Sequence, residues 1–175
     1  MKDTKAIFLD RDGIINHTVC RDGKYVSPRT FKEFQFKEGV KEFIQKAKKE
    51  NFLIIVVTNQ PDISRGLMKI EDLEKMHHLL KKNRLVDEIF VCPHDDADNC
   101  HCRKPKPGML LEASKKYQII LKKSFIIGDS LKDIGAGNDA GCKTVLWQET
   151  YNEKVEADFK VKSFKEILKI IKFNH

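Results

Sequence analysis

Short apolar runs alternate along this chain with longer stretches in which apolar residues recur every three or four positions. The short runs are KAIFL (5–9), FLIIVV (52–57), EIFV (88–91), SFIIG (124–128) and TVLW (144–147), all of strand length. Residues 39–50, 70–83, 107–117, 131–140 and 163–172 carry the helical period. This alternation predicts an α/β fold, a Rossmann-like parallel central sheet covered by helices on both faces in three layers. The stretch between Asp12 and Gly39 breaks the pattern, being rich in turn residues and aromatics, and is expected to form a loop or hairpin flap. No repeat, low-complexity tract or linker divides the chain, so residues 1–175 are expected to form a single domain.

Polar residues follow the apolar runs in an ordered way. Asp10 and Asp12 follow the first, Thr58 and Asn59 the second, and Asp129 follows SFIIG. Parallel sheets bind ligands at the carboxyl ends of their strands, so three strands are expected to deliver these groups to one edge. Two carboxylates in Asp10-Arg-Asp12-Gly suit phosphoryl transfer: one attacks phosphorus, and the other protonates the leaving oxygen and later activates water. Strict strand alternation would point them apart, so the chain must bend at the glycine turn. The plainer reading is a strand cap and a β-turn. A carboxylate attacks a phosphate dianion only beside a cation, and Asp129 with Asp133, four residues apart, could help to hold Mg²⁺. Their spacing places both on one helix face if the helix has begun by Ser130; otherwise Asp129 reads as a simple N-cap. Thr58 offers donors to phosphate oxygens and Lys104 a point charge.

Composition narrows the field only modestly. Hydrophobic residues at 41% and charged residues at 34% suit a globular protein, and no apolar run is long enough to span a bilayer. The N-terminal stretch MKDTKAIFLDRDG has no signal-peptide apolar core, which points to a cytoplasmic protein. A formal charge of +7 fits an anionic partner, either a phosphorylated metabolite or a nucleic acid. The lysines are interleaved with glutamates on expected helices, without an arginine cluster or aromatic platform, which favours a solvated surface over a nucleic-acid face. His77 and His78 lie in a helical stretch where one is expected to pack and one to face water. Cys20 and Cys142 read as ordinary exposed or packed side chains.

Three of the five cysteines crowd into residues 92–102. Cys92-Pro-His94 and Cys100-His-Cys102 form two pairs that would close a tetrahedral Zn²⁺ site of structural type, with His101 a possible substitute ligand. Reduced thiols in a flexible loop are the alternative. A closed site would stiffen the loop that aims Arg103 and Lys104.

FLDRDG, VTNQ, CRKPKPGM and IIGDSLKDI occur in the order of the four motifs of the haloacid dehalogenase-like (HAD) phosphatase superfamily, which the chain closely resembles from about residue 5 to residue 147. Within it the chain looks like the heptose bisphosphate phosphatase and histidinol-phosphatase branch. The resemblance implies a HAD fold, with Asp10 as nucleophile and Asp12 as general acid/base. It implies Mg²⁺ held by the Asp10 side chain, the Asp12 carbonyl and Asp129, with Asp133 behind them. It further implies that Thr58, Asn59 and Lys104 stabilise the phosphoryl group, that Arg103 and Arg65 bind substrate, and that Cys92, His94, Cys100 and Cys102 hold Zn²⁺. The short interval between Asp12 and Thr58 leaves no room for a folded cap, so a capless, open-rimmed site is expected.

The expected substrate is a small phosphorylated sugar, D-glycero-D-manno-heptose 1,7-bisphosphate, losing its 7-phosphate to feed surface-polysaccharide synthesis. Histidinol phosphate or another small phosphomonoester is the alternative. A monomer that binds neither nucleic acid nor membrane is expected; a non-catalytic, zinc-stabilised binding module is the reading from another class. The chain departs from the Thr-Asn-Gln-Ser-Gly-Ile-Ala-Arg-Gly usual in the heptose branch. It has Pro61, Asp62 and Ser64, and Asp62 is expected to place a negative charge where an anionic substrate approaches.

Overall fold

The computed structural model describes residues 3–173; residues 1, 2, 174 and 175 of the expected domain lie outside the described residues. The chain runs β1 (Lys5–Leu9), β2 (Val19–Arg21), β3 (Lys24–Val26), α1 (Val40–Lys49), β4 (Phe52–Asn59), α2 (Ile70–Lys82) and β5 (Glu88–Cys92). It continues through α3 (Gly108–Tyr117), β6 (Phe125–Gly128), α4 (Leu131–Ala140), β7 (Lys143–Trp147), β8 (Phe159–Val161) and α5 (Phe164–Phe173). Six strands form one parallel sheet in the order β5-β4-β1-β6-β7-β8. From β1 the chain adds β4 and β5 on one side, then returns to add β6, β7 and β8 on the other. That reversal flanks β1 with β4 and β6 and opens a crevice at the carboxyl ends of all three.

Alternate strand residues enter two separate cores. Ile7, Leu9, Ile54, Val56 and Ile127 face the helices α1, α2 and α5, meeting Phe43, Met76 and Ile167. Ala6, Phe8, Ile55, Val57 and Ile126 face α3 and α4, meeting Met109, Leu110 and Ala136. Burial of each large apolar side chain contributes about 1.5–3 kcal/mol, and both faces are covered, as a parallel sheet requires. No helix among the described residues is long and apolar enough to cross a membrane.

The structure takes the hairpin of the two readings of the flap and differs from the sequence reading at β8 and at Asp129, each for a physical reason. The flap is a true hairpin: β2 and β3 pair antiparallel around Asp22 and Gly23, both at positive φ, which matches the twist of the strands. Strand β8 is only three residues long, too short for a visible period; it is fixed by pairing with β7 and by Asp158, whose carboxylate accepts from the Thr144 backbone N–H at 2.7 Å. The N-cap of α4 is Ser130, so Asp129 precedes the helix and is neither its cap nor part of it. Among the described residues the segment between β1 and β4 holds the hairpin, a 3-10 turn and α1, with no folded cap.

Candidate active site with two metal-ligand clusters

Asp10 leaves the end of β1, and its backbone N–H donates to the Ile127 carbonyl of β6 at 3.0 Å, so the neighbouring strand fixes its position. Lys104 is the most constrained charge at the site. Its ammonium donates to Asp10 Oδ1 at 2.9 Å, to the Val57 carbonyl at 2.8 Å and to Asp133 Oδ1. Asn59 holds the lysine's backbone from both sides: Asn59 Nδ2 donates to the Lys104 carbonyl at 3.0 Å, and Lys104 N–H donates to Asn59 Oδ1 at 3.1 Å. The Asn59 amide is thus occupied in placing Lys104. Burial works against the lysine's charge, but Asp10 and Asp133 outweigh it and hold the ammonium protonated. Burial drives Asp10 well above the usual carboxylate range; Lys104 opposes the rise, and the charges of Asp133, Asp129 and Asp12 add to it.

Carboxylate oxygens of Asp10, Asp129 and Asp133 lie within 4.8 Å of one another. Such a set of hard oxygen donors fits a divalent cation, whose charge would offset the repulsion that burial and proximity create. Asp133 uses both oxygens elsewhere, Oδ1 on Lys104 and Oδ2 on the Ser130 hydroxyl and backbone N–H. Gly13, at φ +88°, is required for close approach, because a Cβ there would lie 2.1 Å from Asp129 Oδ2.

Asp12 faces the same cavity but stands outside the carboxylate cluster. Arg11, fully buried, donates to both Asp12 oxygens at 3.0 Å, and Asn16, Ser27 and Gln60 donate to them at 2.9, 2.8 and 2.7 Å. Burial alone would raise this carboxyl, but the Arg11 charge and these hydrogen bonds overcome it and hold Asp12 below its ordinary value. Arg11 also meets Nε2 of His77, which burial and that guanidinium depress to about 3; His77 is half-buried and neutral, and His78 is exposed. Thr58 is buried, with its hydroxyl oxygen accepting from Gln60 Nε2 at 2.8 Å, and does not line the cavity.

The cavity, of about 770 Å³, is walled by the aspartates, Lys104 and Arg103 and roofed by the hairpin with Tyr25. Arg103 is 8% exposed, its Nε donating to Asp96 at 2.6 Å and its Nη1 to the His94 carbonyl at 2.9 Å. Arg65 lies outside the cavity lining, forked onto Asp95 at 2.5 and 2.7 Å. The charge expected from Asp62 is neutralised: this side chain is buried and paired with Arg29 at 2.7 Å and Arg65 at 3.4 Å, so only Pro61 of that pair reaches the cavity.

The second cluster joins Cys92, His94, Cys100 and Cys102. Sulfur–sulfur separations are 3.5 Å (Cys92–Cys100) and 3.4 Å (Cys100–Cys102), and His94 Nδ1 stands 3.7 Å from Cys92 and 3.4 Å from Cys102. Zinc bonds of about 2.3 Å to sulfur and about 2.0 Å to nitrogen give tetrahedron edges of roughly 3.5–3.8 Å, so the donors have zinc spacing. Burial pushes Cys92 up to about 12; at Cys100 burial is outweighed by hydrogen bonds from Cys102 and Cys92, which hold it at about 7. His101 is exposed and outside the cluster.

The family model described as polynucleotide kinase 3 phosphatase matches residues 5–169. The chain belongs to that family, within the HAD-like phosphatases. It is 37% identical over 179 residues to the D-glycero-beta-D-manno-heptose-1,7-bisphosphate 7-phosphatase of Helicobacter pylori strain 26695, covering 98% of this chain and 100% of that one. It is 39% identical over 176 residues to the D-glycero-alpha-D-manno-heptose-1,7-bisphosphate 7-phosphatase of Campylobacter jejuni, covering 97% and 96%. Its fold matches the D,D-heptose 1,7-bisphosphate phosphatase of B. bronchiseptica, solved with magnesium and phosphate. That match has a TM-score of 0.85 at 28% identity and covers 98% of this chain and 100% of that one.

Sequence reasoning about this HAD phosphatase missed Arg11, Asn16, Ser27 and Gln60 around Asp12, and Tyr151 and Asn152 around Asp129. Arg11 stands inside the first motif and Gln60 inside the second, so their positions were visible although their contacts were not. Tyr151 follows the last motif in a 3-10 turn at Thr150–Asn152 with no period to mark it.

The electrostatics give a signed prediction. Burial raises the Asp129 carboxyl to about 6, with the Asp133 charge adding to the rise, while Tyr151, Lys104 and Lys37 oppose it. With an unfolded value near 4, the native state binds more protons between those pH values, so metal-free protein loses stability as pH rises through that window. Asp129→Asn in EDTA is therefore expected to be more stable than wild type by about 1–3 kcal/mol at neutral pH, with the gap closing near pH 4. Urea unfolding at the two pH values checks this; an equal gap at both contradicts it.

Proposed function

We propose that the chain is a Mg²⁺-dependent phosphomonoesterase that removes the 7-phosphate from D-glycero-D-manno-heptose 1,7-bisphosphate through a phosphoryl ester on Asp10. One observation carries the reading: Asp10 ends the central strand in a cavity where a buried lysine and two further carboxylates converge on it. The names of the relatives supply the sugar. Among the described residues the donors to the Asp10 carboxylate, Lys104 Nζ and Arg11 N–H, fall on Oδ1, which leaves Oδ2 to attack phosphorus.

As the Asp10–phosphorus bond forms, the bond to the sugar oxygen breaks, and Asp12 gives that oxygen its proton. Water then attacks phosphorus, Asp12 takes the water's proton, and Asp10 leaves as carboxylate. The donors around Asp12 favour its ionised form, so the dianionic substrate must raise its proton affinity on arrival. Lys104 stays charged throughout and faces the transferring group, while Asn59 keeps it in place. Thr58, buried outside the cavity with its hydroxyl accepting from Gln60, acts at one remove by placing the Gln60 amide that donates to Asp12. Mg²⁺, held by Asp10, Asp129 and the Asp12 carbonyl, would offset the charge of phosphate and nucleophile together. Arg103 binds the rest of the substrate, and Arg65 acts at one remove by steadying Asp95.

Zinc in the Cys92, His94, Cys100 and Cys102 cluster is structural, since four protein ligands leave no open position. His94 joins that cluster to substrate binding, with its ring among the ligand atoms and its carbonyl accepting from Arg103. A cytoplasmic setting and a monomeric state complete the proposal.

Phosphate release with and without Mg²⁺ on both anomers of the heptose bisphosphate and on histidinol phosphate tests the substrate. The expected result is Mg²⁺-dependent release with a heptose bisphosphate preferred by at least about tenfold, a margin of about 1.4 kcal/mol. Equal, weak turnover of all three contradicts it. Purified protein should carry one zinc per chain, and stripping it should lower the melting temperature and raise KM through Arg103. Stripping that changes neither rules the zinc role out.

A further inference from the structure

Asp129 is held at both ends by two consecutive residues. Tyr151 donates its hydroxyl to Asp129 Oδ2 at 2.5 Å, and Asn152, 4% exposed, donates its Nδ2 to the Asp129 carbonyl at 2.8 Å. The same Nδ2 donates to the Trp147 carbonyl at 2.8 Å, tying the turn to the end of β7. Gly13 lies close to the same oxygen, where any Cβ would come within 2.1 Å of it, so Oδ2 is approached by both a donor and a backbone. Oδ1 is the oxygen left for a cation.

We propose that Tyr151 is a positioning residue that takes Oδ2 of Asp129 and thereby presents Oδ1 as a single, fixed oxygen ligand to Mg²⁺. The inference rests on the Mg²⁺ reading above. Mg²⁺ demands near-ideal octahedral geometry, so a carboxylate free to swing or to chelate through both oxygens binds it less well. Hydrogen bonds that orient a ligand typically change metal affinity or activity 10–100-fold. Tyr151 is 57% exposed, and its ring lies 6.5 Å from the ring of Tyr25 on the hairpin, so its hydroxyl can be removed without opening the core.

The test uses Tyr151→Phe, which keeps the ring, with Tyr25→Phe as a control that loses a hydroxyl without a contact to Asp129. Mn²⁺ binding is read by electron paramagnetic resonance and Mg²⁺ by its competition with Mn²⁺, beside the Mg²⁺ dependence of turnover. Tyr151→Phe is expected to weaken both ions about tenfold, with activity recovered as Mg²⁺ is raised; Tyr25→Phe should leave ion affinity at the wild-type value. Equal affinity in wild type and Tyr151→Phe overturns the proposal. A raised substrate KM with ion affinity unchanged also overturns it, by making Tyr151 a wall of the substrate site. Wild type that binds neither ion overturns the Mg²⁺ reading itself and this inference with it.

Discussion

A buried ammonium between two carboxylates is the constraint on which this structure turns. Lys104 reaches Asp10 and Asp133 from a loop, and a lone buried charge would be costly, by several kcal/mol even after relaxation. The fold answers on every side: Val57 at the strand end accepts a third hydrogen bond, Asn59 clamps the backbone, and Ser130 ties Asp133 to the start of α4. Removing any one partner leaves a charge or a polar group unpaired, so the set is coupled as much by cost as by attraction. Chemistry and stability are therefore opposed at this point, since the three carboxylates gathered where a cation would sit repel one another without it.

The surrounding layers convert that constraint into a directed site. The reversal of strand order places β1, β4 and β6 side by side, and their ends supply Asp10, Asn59 and Asp129 from three different parts of the chain. The Cys/His loop then brings Arg103 to the same cavity through His94, and a chain of ion pairs runs from Arg103 past Asp95, Arg65 and Asp62 to Arg29. Pairs of this kind that reach solvent on at least one side are individually weak, and their effect here is geometric, linking the metal-ligand loop, the loop after β4 and the segment after the hairpin.

Much of this was legible in the chain because the informative features are local. Strands buried on both faces form unbroken apolar runs, Asp-Arg-Asp-Gly and Gly-Asp-Ser follow two of them directly, and the cysteine pairs have ligand spacing. What stayed hidden depends on contacts between distant segments. Nothing in Pro61-Asp62 shows that Arg29, thirty-three residues earlier, neutralises the aspartate. Tyr151 sits in a turn without periodicity, and β8 is a strand only because β7 offers it an edge. The Asn59 side chain, expected to face the phosphoryl group, is turned to the Lys104 backbone, a choice set by a loop forty-five residues later.

The most direct test of the account is to look for phosphorus on Asp10 during turnover. Protein mixed with Mg²⁺ and the heptose bisphosphate, quenched in acid and digested for mass spectrometry, should carry a phosphoryl group on the peptide containing Asp10, and Asp10→Asn should carry none. Continued substrate hydrolysis with that peptide unmodified at every quench time, or hydrolysis by Asp10→Asn near the wild-type rate, would contradict it.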